Sequence, residues 1–176
     1  MNATLALIPG IGMIFVGAAA VIAWRRFTAL DIRWFWLGAG LWTVAVLLKT
    51  GAALAVNRPV LAFLAAGAPR AWFVGGGGLF LGVESSLFEI GLTLLAVLTW
   101  HQLGRDAPTA IGIGIGAGAF EALLLGAGSL VGVLVLLAGL PGAERVRQSI
   151  QAASAITPLF WLLGPAERII AILVHA

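Results

Sequence analysis

The sequence contains no cysteine, which excludes disulfides, thiolate nucleophiles and cysteine-ligated metals and leaves the redox compartment open. It is equally poor in charge. Only 10% of its 176 residues are Asp, Glu, Lys or Arg, against about 25% in a soluble domain. With 61% hydrophobic residues and a mean hydropathy of +1.10, no soluble reading survives. The alternating apolar-out, polar-in decamers of a transmembrane barrel are missing. The N-terminal "MNATLALIPG" has no basic stretch before its apolar run, so it reads as a first membrane helix and not a cleaved signal peptide. A net charge of +3 would suggest nucleic acid in a soluble protein. Here the arginines stand singly or in pairs beside apolar segments and read as topology signals. The partner that the composition requires is the lipid bilayer, with no nucleic acid, and the location is the cell membrane.

The expected fold is all-α: a single polytopic membrane bundle, residues 1–176, of about 5–6 membrane segments at about 20 residues each. The first runs from about Thr4 to Trp24 and the second from about Trp34 to Val56, with Lys49 inside it. A short apolar piece, Val60 to Ala68, is too short to cross and reads as re-entrant. Ala71 to Trp100 follows, then "HQLGRDAP", then Thr109 to Leu140, long enough for one tilted helix or two halves. "PGAERVRQSIQAAS" reads as an interfacial helix. The last helix is expected after Pro165. Its roughly twelve residues, at ~1.5 Å each, reach half of the ~30 Å core, which suggests a truncated C-terminus. Arg25, Arg26 and Arg33 favour an outside N-terminus, a bias that Arg58, Arg70, Arg145 and Arg147 largely cancel.

Against this apolar background the charges are informative. Glu84, Glu89, Glu121 and Glu167 lie in apolar segments, where a charge costs at least ~2.5 kcal/mol. The bland alternative is interhelical glue, a protonated glutamate or one paired with Lys49 or Arg168. Ser85, Ser86 and Thr93 make one polar stripe with Glu89, while Glu84 points about 140° away. Arg168 and His175 are seven apart and share a helix face, with Glu167 flanking it. Such a set can hold and orient a water or a metal.

The run "GIGIGAGAFEALLLG", Gly112 to Gly126, offers two overlapping small-xxx-small pairs, Gly112/Gly116 and Gly114/Gly118, that let another helix approach closely. It is not a G-x-G-x-x-G phosphate loop: position 117 is Ala and no strand precedes it, so nucleotide binding is excluded. Gly114, Ala117 and Gly118 lie on the face of Glu121, so a partner helix would be drawn against that carboxylate. H-E-x-x-H is absent.

Three stretches in order, "FEIGL" (Phe88–Leu92), "GIGAGAFEA" (Gly114–Ala122) and "ERIIAILVH" (Glu167–His175), resemble the YhfC family of intramembrane proteases, relatives of the CAAX-processing membrane proteases. The resemblance covers roughly residues 70–176. The family pattern has E-E-x-G-R, G-x-G-H-G-x-x-E-A and E-R-x-x-A-x-x-x-H. The third is intact here, while Phe88, Leu92 and Ala117 stand where the pattern has Glu, Arg and His. The resemblance implies peptide hydrolysis in or near the membrane, with Glu89, Glu121, Glu167, Arg168 and His175 as the catalytic set. The family's metalloprotease label implies a divalent metal such as zinc, with Glu89, Glu121 and His175 as its available ligands. It also implies a membrane-anchored peptide or protein substrate. Two other readings keep the same membrane fold: an inactive relative binding a peptide or partner helix, and a small transporter with Lys49, Glu89 and Glu121 along its path.

Overall fold

Six α-helices form among the described residues, 3–66, 69–157 and 159–176 of the computed structural model, and no strand is found there. They are α1 (Ala3–Thr28), α2 (Ile32–Ala65), α3 (Arg70–Thr99), α4 (Ala107–Leu137), α5 (Ala143–Ile156) and α6 (Phe160–His175). Four helices, α1 to α4, are long and apolar enough to cross a membrane, and α5 with α6 makes a fifth if taken as one bent span. The chain is a multi-pass, all-helical membrane protein.

Three boundaries differ from the sequence expectation. The piece from Val60 is no re-entrant segment: α2 runs through Pro59 to Ala65, and positions 67 and 68 lie outside the described residues. Proline removes one N–H donor from a helix interior without necessarily ending it, and α2 carries it. For the same reason α6 starts at Phe160 and contains Pro165 in its second turn. The fourth segment is one unbroken helix that stops at Leu137. Its start is set by Asp106, whose carboxylate accepts the Thr109 N–H at 2.8 Å and the Thr109 hydroxyl at 3.1 Å. That is an N-cap, satisfying a donor that the first helical turn leaves free.

Contacts divide the chain into two compact units, Met1–Ala39 with Ile111–Ala176, and Gly40–Ala110. In the first, Phe35 of α2, Ile115 of α4 and Ile172 of α6 are buried together, and Val16, Ala20 and Trp24 of α1 pack on them. In hydrocarbon such packing acts through van der Waals contact, since lipid tails are as apolar as leucine.

α1 ends on a left-handed residue. Ala29 has φ 55° and its N–H donates to the Arg25 carbonyl at 2.9 Å, the αL closure usually made by glycine. A Cβ in this conformation costs roughly 1–2 kcal/mol. Ala29→Gly is therefore expected to raise the thermal unfolding midpoint of the detergent-solubilised protein. An unchanged or lower midpoint would show that position 29 carries no strain.

Candidate functional site

The buried run from Gly112 to Ala119 fixes how the first unit assembles. Residues 114, 118 and 121 fall on one side of α4, four and three apart. A Cβ on Gly114 would collide with the His175 carbonyl oxygen, and one on Gly118 would stand 2.9 Å from Ile172 Cα. No real side chain tolerates either approach, so only glycine allows α6 to lie this close. Gly116, on another side, meets the Phe35 backbone of α2 in the same way.

The close approach carries polar groups with it. Arg168 Nη1 lies 2.7 Å from Glu121 Oε1, and His175 Nε2 lies 3.7 Å from Glu121 Oε2. Arg168 and His175 are only 5% and 8% exposed in their side chains, and Glu121 17%. Arg168 Nη2 also contacts Glu167 Oε1 at 2.5 Å, but that carboxylate is 68% exposed. Glu167 therefore bonds the outer side of the guanidinium, while Glu121 takes its inner side. Among the described residues Arg168 Nε is buried without a hydrogen-bond partner.

The two oxygens of Glu121 are thus differentiated. Oε1 is engaged by a full positive charge. Oε2 faces a histidine nitrogen at 3.7 Å, too far for a hydrogen bond. That separation suits two donors around a common centre: ligand atoms about 2.0–2.2 Å from a tetrahedral metal stand a little over 3 Å apart. An imidazole nitrogen and a carboxylate oxygen are also the donor types that a catalytic zinc accepts. Glu121 and His175 therefore fit a divalent cation as two of its ligands.

In the second unit Glu89 has its own partners. Lys49 of α2 forms an ion pair with Glu89 of α3. The Ser85 hydroxyl donates to Glu89 Oε1 at 2.8 Å, and Lys49 Nζ donates to Ser85 Oγ at 3.2 Å. One turn on, the Thr93 hydroxyl donates to the Glu89 carbonyl at 3.0 Å. Glu84 lines a cavity of about 460 Å³ with Lys49, Thr50, Asn57 and Ser85. Asn57 gave no signal in the sequence because it reads as part of a loop; its helical position four residues after Ala53 places it on the Lys49 side of α2.

Ala117, where the resembled pattern has histidine, is fully buried. Ile172 likewise carried no sequence signal, although it sits between Arg168 and His175 and meets Gly118. Its position is evident only once the face shared by those two residues is known.

No curated protein and no solved structure matches the chain. The family model described as YhfC intramembrane metalloprotease matches residues 12–176, extending the resemblance beyond the three motif stretches to include most of α1. Spanning nearly all of the sequence, this match places the chain in the YhfC intramembrane metalloprotease family.

Proposed function

We propose that the chain is a membrane-embedded peptidase whose reactive groups in the first unit are Glu121 and His175, held in place by Arg168. One observation carries this reading: Glu121 on α4 faces both Arg168 and His175 of α6 across a glycine-lined contact. Arg168 anchors Oε1, so the carboxylate cannot rotate and Oε2 stays directed at the imidazole. Ile172 and the packed glycines close the side toward α6 and limit water to what the polar groups admit. A water between Oε2 and Nε2 would be held from two sides and could give a proton to Glu121. Glu121 and His175 would also hold the divalent metal that the family label implies, which supplies Lewis-acid polarisation and a more acidic bound water. Glu167, on the outer side of Arg168, supports the guanidinium and does not itself meet the reacting groups.

Glu121→Gln and His175→Ala are each expected to abolish cleavage of a fluorogenic membrane-anchored peptide while the protein still accumulates. Unchanged cleavage in both would remove the proposal. Metal content gives a second measure. His175→Ala should lower zinc affinity of the purified protein by at least the 10–100-fold typical of lost supporting groups, and Glu89→Gln tests the third-ligand assignment drawn from the family resemblance.

A second reading has its own support. Ala117 offers no donor or ligand where the family pattern has histidine, and it is wholly enclosed. A chain lacking that group could bind a peptide without cutting it. The combined Phe88→Glu, Leu92→Arg and Ala117→His variant separates the two. If the native chain already cleaves as fast as this variant, binding without cleavage is excluded.

A further inference from the structure

Two cavities on the first unit meet at the end of α1, away from Glu121. One is an apolar groove of about 260 Å³ between α1, the start of α2 and α4. Its small residues Gly17, Ala18, Gly116 and Ala119 leave the space, and Phe35 and Trp36 flank it. The other, about 550 Å³, is lined by Arg25, Arg26, Ala29 and Leu30. Val21, Ile22 and Ile32 line both, so the groove opens directly into the arginine-lined cavity.

The two have complementary characters. The groove is almost wholly apolar, and Ile22 and Trp36 on its rim are 56% and 65% exposed. At the other end, neither Arg25 nor Arg26 has a carboxylate within ion-pair reach among the described residues; the nearby Asp31 pairs with Arg33 at 3.8 Å. Arg25 Nε donates to the Leu30 carbonyl at 3.3 Å, which fixes its guanidinium at the α1–α2 turn beside the cavity that Arg25 lines. Arginines at a helix end commonly serve only as interfacial anchors. What exceeds that role here is the groove beginning directly below them. Its depth also fits: from Arg26 back to Gly17 is nine residues of helix, about 13 Å, close to the ~15 Å half-thickness of a bilayer core.

We infer that this is a binding site for one anionic glycerophospholipid, its phosphate at Arg25 and Arg26 and one acyl chain in the groove below. Arginine suits the phosphate because its planar fork gives two parallel donors. The small residues suit the chain because they allow a methylene row to contact helix backbone. The lipid would fill the space between α1, α2 and α4 and brace the same glycine-rich stretch of α4 whose opposite side faces α6.

The full chain, purified in detergent and stripped of lipid, is titrated with phosphatidylglycerol or phosphatidylcholine, with bound lipid counted by native mass spectrometry. Phosphatidylglycerol is expected to bind more tightly by on the order of tenfold or more, from two arginines near a lipid phosphate. Arg25→Gln with Arg26→Gln should remove that preference, weakening phosphatidylglycerol by more than phosphatidylcholine, whose phosphate loses the same donors but whose choline cancels its net charge. Ala18→Phe, an exposed position that fills the groove, should weaken both lipids. Equal binding of the two lipids by the native chain overturns the inference. So does loss of bound phosphatidylglycerol on adding millimolar inorganic phosphate, which marks a site for the free anion. Undiminished binding in Ala18→Phe would show that no chain enters the groove. Helicity and monodispersity of each variant, measured beside the counts, separate lost binding from lost fold.

Discussion

Gly114→Ala is expected to destabilise the protein by about 2–3 kcal/mol, although alanine is the better helix former by about 1 kcal/mol. The added methyl collides with the His175 carbonyl oxygen and stands 2.9 Å from Ala176 Cα. Both are backbone atoms, which cannot rotate aside as a flexible side chain can. Either α6 moves away or its last turn unwinds, and each outcome separates His175 from Glu121. Cleavage and metal binding should therefore fall together with stability. Gly128→Ala on the same helix provides the control. A Cβ there meets nothing within 4 Å, so only the propensity gain remains and stability should rise by up to about 1 kcal/mol. Opposite signs for two identical substitutions on one helix, measured by detergent unfolding, would establish that α4 uses Gly114 for close approach. Equal signs would reject the contact.

Arg168→Leu is the second large effect. It leaves Glu121 facing α6 with no cation, in a setting where both partners of the ion pair are largely hidden. Removing one partner of a buried pair typically costs about 3–5 kcal/mol, because the remaining charge stays desolvated. The double variant Arg168→Leu with Glu121→Gln removes the second charge as well and should recover most of the loss. A coupling energy of about 2 kcal/mol or more in the resulting cycle is expected. Simple additivity would mean that the pair does not hold the helices together. Cleavage, in contrast, should remain absent in the double variant, since Glu121 is gone.

Much of this was legible in the sequence, for reasons that differ by element. The long helices stand out because composition alone separates lipid-facing segments from the rest. The polar face of α6 was legible because Arg168 and His175 are seven residues apart, a spacing that survives any small error in helix ends. The glycine spacing likewise implied a partner helix against Glu121, though not that the partner is α6. Boundaries near proline were the weak point. Pro59 and Pro165 are breakers by propensity, yet both sit inside helices, where neighbouring turns hold the backbone. The pairing of Lys49 with Glu89 was only one alternative among several, because two helices must be brought side by side before a residue 40 positions away can be chosen over Arg168.

The charges on α6 have a consequence for how the protein is made. The helix carries Glu167 and Arg168 within an otherwise apolar stretch. Alone it would partition poorly from the translocation machinery into lipid, since a single arginine near the centre costs about 2.5–3.5 kcal/mol. α4 precedes it in the chain and presents both the glycine surface and the neutralising Glu121. α6 is therefore expected to enter the bilayer against a helix already inserted, with Glu121 neutralising Arg168. The same contact would then bear on biogenesis: a chain whose α4 cannot receive α6, as in Gly114→Ala, is expected to leave that segment at the membrane surface, which protease accessibility of α6 in membranes would reveal.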